Sequence, residues 1–155
     1  IEKIFGLELR DLMRLLRSSG KECYIVGGAV RDLLLGFEKI IDIDLTTSLS
    51  IEQIKQTFDK NKIRFDDRAL KYGCLTVNNQ KKRNIQVTSF RKDIRTFGRA
   101  ADIEFVENIE EDAKRRDFTI NAFYCSYDGQ IIDPLGNLED LNNLNSWVKN
   151  YVNEF

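Results

Sequence analysis

The segment from Val26 to Asp44 constrains this chain most, because it joins a Gly-Gly turn to two closely spaced carboxylates. A hydrophobic run enters Gly27-Gly28, a short helical segment follows, and Asp42 and Asp44 then flank one isoleucine. Glycines let backbone N–H groups approach phosphate oxygens closely, and the N-terminus of the following helix favours anions. Two carboxylates on one face of a strand are able to hold Mg²⁺, which prefers oxygen ligands. The segment therefore predicts a triphosphate site beside a metal site, the combination that nucleotidyl transfer requires.

Both halves of this segment also have a purely structural interpretation. Most Gly-Gly pairs are tight turns, and Arg31 is as able to form an ion pair with Asp32 as to fork onto a phosphate. Alternating aspartates commonly mark the solvent face of an edge strand. The isoleucines at 40, 41 and 43 instead favour a central strand, where acidic residues need a functional reason.

Composition narrows the class of function. The chain has 155 residues, enough for one domain with a core, and its net charge of −1 gives no bulk sign of a nucleic-acid partner. It contains no histidine, which excludes Ser-His-Asp and Cys-His catalysis and histidine metal ligands. No apolar stretch approaches the ~20 residues of a membrane span. We interpret Cys23, Cys74 and Cys125 as reduced, buried thiols and expect a cytoplasmic protein without a membrane partner.

Hydrophobic periodicity and turn residues predict one α+β domain with a mixed central sheet. Helices are predicted at 7–18, at 29–35, from a Ser50–Gln53 capping box to about residue 58, and at 110–124. Strands are predicted at 23–26, 41–45, 63–65, 74–77, 85–89, 103–106 and 130–133. We further expect a hairpin turn at 78–79, a mobile loop at 91–101 and a final helical segment that includes Trp147.

A charged run in the last long helix is the third candidate element. Arg115 and Arg116 are followed by Asp117 and, one helical turn on, by Asn121. Such a set is able to grip phosphates and a ribose or a base edge. The structural alternative is a solvated helix start in which Asp112 and Asp117 balance the two arginines. The apolar residues among these charges favour the functional interpretation.

Together the three elements resemble the class II tRNA nucleotidyltransferases (CCA-adding enzymes) and the bacterial poly(A) polymerases related to them. The motifs that carry the resemblance are Gly27-Gly28-Ala29-Val30-Arg31-Asp32 with Leu34-Leu35-Gly36, Asp42-Ile43-Asp44, Arg115-Arg116-Asp117-Phe118-Thr119-Ile120-Asn121-Ala122, and Ile132-Asp133-Pro134 with Leu138-Glu139-Asp140-Leu141. The resemblance implies the head domain of such an enzyme. It also implies the fold, a nucleotidyltransferase palm of the polymerase beta type with a mixed central sheet flanked by helices.

The resemblance implies a role for each site residue. Asp42 and Asp44 look like the metal-binding catalytic pair. The nucleotide-binding residues that it implies are Gly27, Gly28, Arg31, Asp32, Arg115, Arg116, Asp117 and Asn121. The implied reaction is attack by an RNA 3′-hydroxyl on the α-phosphate of CTP or ATP with Mg²⁺ as cofactor, which adds CCA to the 3′ end of tRNA. The alternatives are poly(A) addition to another RNA 3′ end, and a degenerate head that only binds RNA or nucleotide.

The sequence departs from this pattern at two places. Gln86 stands where related sequences often have a glutamate, the usual candidate for a third acidic group, and glutamine cannot ionise. Residues 1–141 are expected to form the head domain, whereas 142–155 only begin a helical region, so that neck, body and tail are absent. We therefore expect a fragment, a head that needs a separate chain to supply the helical neck and body, or a minimal enzyme with relaxed nucleotide choice.

Support for RNA contact comes from basic residues between 81 and 99. They include Arg91, which with the loop after it stands where the family has a flexible element tied to nucleotide choice. The alternative is a solvated hairpin turn and loop. Tyr72 and Trp147 are able to stack on bases, but we expect both to be packing residues.

Overall fold

A computed structural model describes residues 7–18, 20–37, 40, 42–78, 84–94, 102–116 and 118–143. The helices are α1 (Leu7–Arg17), α2 (Gly28–Leu34), α3 (Ile51–Lys60) and α4 (Ile109–Lys114), and residues 138–143 are also helical. The strands are β1 (Cys23–Val26), β2 (Asp42–Thr47), β3 (Phe65–Asp66), β4 (Cys74–Asn78), β5 (Asn84–Ser89), β6 (Arg91–Ile94), β7 (Asp102–Phe105), β8 (Tyr124–Cys125) and β9 (Ile131–Ile132). Short 3₁₀ turns lie at Leu70–Tyr72 and Thr119–Asn121.

Strands from both halves of the chain form one mixed sheet with the order β3-β4-β5-β2-β1-β8-β9. At its centre, β2 pairs parallel with β5 and antiparallel with β1, and the remaining pairs of this sheet are antiparallel. Strands β6 and β7 form a separate antiparallel hairpin. The prediction of an α+β fold with a mixed sheet is confirmed, and so is the central position of the strand that carries the aspartates.

The main core lies between one face of this sheet and the helices α1 and α3. The buried residues of α1 are Leu9, Leu12, Met13 and Leu16, at the spacing of one helical face. The predicted capping box of α3 is present, because Ser50 Oγ accepts from the Gln53 N–H (3.2 Å) and Gln53 Oε1 from the Ser50 N–H (2.9 Å). The apolar faces of both helices join one buried cluster with the inward residues of β2.

Alternation along β2 separates core residues from site residues. Ile43 and Leu45 are buried in the main cluster, whereas Asp42 is exposed and Asp44 is half-buried. Because successive side chains of a strand point to opposite faces, the two carboxylates share the face away from that core. The fold thus presents both aspartates from the middle of the sheet.

The predicted loop at 91–101 is wrong for its first four residues. They form β6, which pairs with β7, and Lys92 Nζ lies 3.1 Å from a carboxylate oxygen of Glu104 across the hairpin. The N–H of Val106 donates to the carbonyl of Phe90 (3.0 Å) and closes the base of the hairpin. The sequence RKDI of β6 has no apolar alternation, so the sequence pattern did not reveal this strand, whereas the strand predicted at 103–106 is confirmed as β7. Residues 95–101 lie outside the described part of the chain.

The predicted helix at 110–124 is also wrong over most of its length. Helix α4 ends at Lys114, the chain is extended at Phe118, and a 3₁₀ turn follows before β8 begins at Tyr124. Because β8 pairs with β1, the buried apolar residues here complete the sheet, and this pairing overrides their helical spacing. The predicted one-turn relation of Asp117 to Asn121 involves Asp117, which lies outside the described residues.

Smaller predictions differ by one or two residues. Asn78 pairs with Asn84 as the last residue of β4, so the turn predicted at 78–79 begins later, and 79–83 lie outside the described residues. Strand β3 is displaced from 63–65 to Phe65–Asp66. The final helical segment is confirmed for 138–143, whereas Trp147 lies outside the description. The three cysteines are free and buried, as predicted, and no helix within the described ranges is long and apolar enough to span a membrane.

Truncation at the centre of β2 tests how far the fold depends on this core. Leu45→Ala removes a fully buried side chain. It should lower the free energy of unfolding by about 2–5 kcal/mol, because the lost burial and the residual cavity add. Urea denaturation measures this change, with Lys60→Ala on the exposed end of α3 as the control. Equal midpoints for the two variants would contradict the assignment of Leu45 to the core.

Candidate nucleotide and metal site

The Gly-Gly turn connects β1 to α2 at the centre of the site. Gly27 has φ 77° and ψ −141°, a backbone conformation that side chains rarely adopt. A Cβ atom there would lie 3.7 Å from Asp44 Oδ2 and 3.7 Å from Arg116 Nη1. The missing side chain therefore leaves the backbone open between a carboxylate and a guanidinium.

The two aspartates meet polar neighbours on the adjacent strand. In the register of the sheet, Asp44 lies beside Gln86 and Asp42 beside Asn84, so that all four side chains share one face. Asn84 Nδ2 donates to Asp42 Oδ1 at 3.2 Å. The departure at Gln86 thus lies next to the carboxylate pair, and it replaces a charge with an amide.

The surroundings of Asp44 disfavour the charged form of its carboxyl group. Burial raises its pKa above the ordinary value, Arg116 and Arg115 oppose that rise, and the nearby charge of Asp42 adds to it. A cation between the two carboxylates would relieve both the burial and the repulsion. The pair is therefore suited to a positively charged ligand.

Arg31 connects the turn to the segment after α4. Its Nε donates to Asp32 Oδ1 (2.8 Å), its Nη2 lies 2.6 Å from the same oxygen, and its Nη1 donates to Asn121 Oδ1 (3.0 Å). The ion pair considered as the structural alternative is thus present. The guanidinium nevertheless lines a cleft of about 350 Å³ together with Gly28 and the aspartate pair.

The paired arginines are held by a buried carboxylate. Asp112 is fully buried, and its Oδ1 accepts from Arg115 Nε (3.1 Å) while its Oδ2 accepts from Arg116 Nη2 (3.1 Å). Tyr124 Oη donates to Oδ2 (2.7 Å), and the backbone N–H of Arg91 donates to Oδ1 (3.2 Å). Burial acts to raise the pKa of Asp112, but Arg116, Arg115 and these hydrogen bonds hold it below its ordinary value.

Sequence reasoning treated Asp112 only as a counter-charge and missed Tyr124 and Asn84. The signal for Asp112 was its position three and four residues before two arginines, which places all three on one helical face. Arg116 Nε also donates to Tyr124 Oη (3.2 Å). A carboxylate and a phenol thus share the positioning of the arginine nearest the aspartates.

The structure brings together most of the predicted site residues. Those it places around the turn and the cleft are Gly27, Gly28, Arg31, Asp32, Asp42, Asp44, Asn121 and Arg116, with Arg115 beside Arg116 on the same carboxylate. Asp117 and the basic residues 81–83, 95 and 99 lie outside the described residues. Tyr72 is 53% exposed, so the expectation that it packs inside is wrong.

The donor set fits a metal that is shared with a substrate. Within the described ranges, no group of three or more His, Cys, Asp or Glu side chains is placed to hold an ion. Mg²⁺ commonly binds through one or two carboxylates and takes its other ligands from waters and substrate phosphates. Asp42 and Asp44 meet that requirement, since the cleft beside them also holds a cationic side chain.

Comparisons with known proteins agree with this geometry. A sequence model described as the poly A polymerase head domain matches residues 23–145. The human mitochondrial CCA tRNA nucleotidyltransferase 1 is 38% identical over 143 residues, which is 92% of this chain and 32% of the relative. The CCA-adding enzyme of Lactobacillus helveticus is 39% identical over 139 residues, 88% of this chain and 33% of the relative. The chain thus spans about a third of the length of these relatives.

Solved structures show the same fold. The Bacillus stearothermophilus CCA-adding enzyme in complex with CTP superposes with a TM-score of 0.73 at 37% identity, over 87% of this chain and 31% of that one. A tRNA nucleotidyltransferase complexed with a primer tRNA and an incoming ATP analog superposes with a TM-score of 0.61 at 28% identity, over 84% and 36%. The resemblance in sequence and the expected α+β nucleotidyltransferase fold are both confirmed.

The buried carboxylate of Asp112 should stabilise the fold strongly. Asp112→Asn leaves two nearly buried guanidiniums without a counter-charge, and we expect a loss of about 3 kcal/mol in unfolding free energy at neutral pH. Because the pKa of Asp112 is lowered by folding, its contribution is present above the ordinary value of 3.8 and lost as pH falls below it. Urea denaturation at neutral and acidic pH measures both effects. Glu110→Gln, which removes an exposed charge two residues away, is the control, and an equal effect of the two variants would refute this role.

Asp44 should have the opposite influence on stability. Its pKa is raised in the fold from 3.8, so its contribution to stability is greatest in acid and declines as pH rises through the folded pKa. Without divalent metal, Asp44→Asn is therefore expected to melt at a higher temperature than the wild type at neutral pH. The difference should vanish in acid, where both side chains are neutral. Thermal unfolding in EDTA tests this expectation, and a less stable variant at neutral pH would contradict it.

Proposed function

This chain belongs to the poly(A) polymerase head-domain family, and we propose that it is the catalytic head of a template-independent RNA nucleotidyltransferase that adds CMP and AMP to the 3′ end of tRNA. One observation carries the proposal. Asp42 and Asp44 project from the central strand onto a cleft that also contains Arg31 and the Gly-Gly turn. Relatives named CCA-adding enzymes, and neighbours solved with CTP or with primer tRNA, support this choice of substrates.

Nucleotidyltransferases of this family generally use divalent metal ions. We propose Mg²⁺ as the metal here, with Asp42 and Asp44 as its protein ligands. When bound, the metal would activate the attacking hydroxyl and neutralise charge on the triphosphate. The half-buried Asp44 and the exposed Asp42 supply the negative charge that selects a cation at this face.

The remaining residues of the site bind and orient the nucleotide. Gly27 and Gly28 allow the triphosphate to approach the backbone closely, since no Cβ occupies the space between Asp44 and Arg116. Arg31 and Arg116 act as fixed donors to phosphate oxygens, because Asn121, Tyr124 and Asp112 already set their orientation. Arg115 and Asp117 complete the nucleotide-binding segment, and positioning with electrostatics performs the transfer.

Gln86 takes no ionic part in the proposed reaction. Its side chain shares the sheet face of Asp44, and its Oε1 lies 3.5 Å from Cys74 Sγ. A neutral amide at this position is able to orient a water or a hydroxyl but not to add a third negative ligand. Two aspartates are therefore proposed to suffice.

The selection of the base is proposed to lie outside this head. Residues 1–141 would act as the head domain, and a helical neck and body, in the same polypeptide or in a separate chain, would read CTP and ATP. Poly(A) addition is the second candidate, because the matching family model is that of a poly(A) polymerase head. The free, buried cysteines support a reducing location such as the cytoplasm.

An incorporation assay tests the proposal. With Mg²⁺, labelled CTP or ATP, tRNA that lacks its 3′ end and the helical neck and body of a relative supplied in trans, the chain should add C, C and A in order, and an unrelated RNA should not be extended. Asp42→Ala and Asp44→Ala should each lower the rate by about a thousandfold or more, because each removes a proposed metal ligand. Asp59→Ala, which removes an exposed carboxylate from α3, is the matched control.

Three other outcomes would overturn parts of this proposal. A run of A on either RNA would replace CCA addition with poly(A) addition. No incorporation, even after the helical region of a relative is supplied in trans, would refute the enzymatic function. If either aspartate variant kept near-full activity, the metal assignment would be wrong.

A further inference from the structure

A second basic site lies on the outer face of α1. Arg10, Arg14 and Arg17 follow one another at intervals of four and three residues, along the side of the helix next to its buried face. Their guanidinium carbons lie 5.0, 5.9 and 5.0 Å from the centroid of the Tyr127 ring. Three cations thus surround one aromatic side chain from the turn between β8 and β9.

The tyrosine hydroxyl fixes two of these cations. Tyr127 Oη accepts from Arg10 Nε (3.1 Å) and from Arg14 Nη2 (2.9 Å). An arginine has five N–H donors, so these bonds leave other donors of Arg14 for a ligand. The hydroxyl orients the guanidiniums but contributes no formal charge to balance them.

Positive charge exceeds negative charge along the wall of the adjoining cavity. The cavity has a volume of about 560 Å³, and its charged lining residues are Arg14, Arg17, Lys21 and Glu22. Arg14 also forms an ion pair with Asp11 at 3.4 Å, but both side chains are about two-thirds exposed, so solvent screens the pair. No described ion pair involves Arg17, but its charge acts on the exposed carboxylate of Asp128, whose pKa is lowered first by a hydrogen bond from Ser126 and also by Arg17. An anionic ligand would neutralise this excess.

This cavity is separate from the cleft beside the aspartates. Cys23, at the start of β1, lines the cavity, whereas Val26, at the end of β1, lies opposite Asp44. Four strand residues place the two sites on the order of 10 Å apart along β1. A ligand would therefore need several consecutive phosphates to occupy both sites at once.

We propose that this cavity binds phosphate groups of an RNA backbone, as a second anion site at the opposite end of β1 from the aspartates. Guanidinium groups match phosphate oxygens in a bidentate fork, which is why two exposed arginines beside a lysine fit this ligand. The proposal rests on the proposed function only for the identity of the polyanion as RNA. The shared chemistry, recognition of phosphate oxygens, is independent of that function.

Binding of a labelled single-stranded RNA to the 155-residue chain tests the proposal. Fluorescence anisotropy at several salt concentrations is expected to show an affinity about tenfold lower for Arg14→Gln/Arg17→Gln than for the wild type. The slope of log affinity against log salt should be shallower by about 1.4, because two phosphate contacts are lost. The matched control is Lys60→Gln/Arg64→Gln, which removes two exposed positive charges near the opposite edge of the sheet.

Tyr127→Phe separates the effect of the arginine charges from the effect of their orientation. It keeps the ring and all three cations but removes the hydroxyl that orients Arg10 and Arg14. Affinity should fall while the salt slope stays at the wild-type value. Thermal unfolding of each variant checks that the fold is intact. If the double variant unfolds, Arg17→Gln alone replaces it, and the slope of log affinity against log salt should then change by half as much.

Each outcome decides between distinct conclusions. Equal affinities and slopes for the arginine variant and its control would overturn the site. Binding of inorganic tripolyphosphate that depends on Arg14 and Arg17, with unchanged RNA affinity, would overturn RNA as the ligand. If the wild type incorporates nucleotide while RNA binding ignores both arginines, this inference alone fails. If RNA binding depends on them but no nucleotide is incorporated, the proposed function alone fails.

Discussion

The buried carboxylate of Asp112 is the interaction on which the position of the paired arginines in the candidate site depends. A fully buried charge must be compensated, and here two guanidiniums, a phenol and a backbone N–H surround it. Asp112 itself lies on α4, and its partners come from the residues just after that helix, from β8 and from the first residue of β6. One charge thereby fixes the end of α4, strand β8 of the main sheet and the base of the hairpin relative to one another.

The side of the candidate site that carries Asp42 and Asp44 is organised differently. The aspartates stand on β2, which has hydrogen-bonded neighbours on both sides, and the Gly-Gly turn leaves the space above them open. The folded protein holds Asp44 in surroundings that disfavour its charge, whereas Asp112 is held in surroundings that favour it. The surroundings of Asp44 disfavour its charge until a cation binds, whereas the compensated charge of Asp112 holds the arginines in place. The site is therefore organised for a ligand before the ligand binds.

The sequence was sufficient to predict the elements whose signal is local. Val26-Gly27-Gly28 predicted a strand, a turn and a helix. The alternation at Asp42 and Asp44 correctly predicted that both side chains lie on the same face of β2. The region after Lys114 was mispredicted because its apolar residues satisfy helical spacing, while their pairing with β1 is decided by a strand about a hundred residues earlier. Strand β6 was missed for a related reason, since its contacts are a backbone hydrogen bond to a buried aspartate and an ion pair with β7, neither of which its own residue pattern reveals. The sequence analysis treated Asp112 only as a carboxylate that balances the arginines, because a charged residue type does not reveal that its side chain is buried.

The position of the two aspartates on a strand paired along both edges has a consequence for how such domains diverge. Their Cα atoms are separated by one two-residue repeat of an extended chain, roughly 6.6 Å, a distance set by peptide geometry and not by side-chain packing. Substitutions in the surrounding helices and loops alter what the cleft admits, but they do not alter this spacing unless the strand itself breaks. Changes around the cleft can therefore alter what it admits while the spacing of the two Cα atoms that carry the carboxylates stays the same.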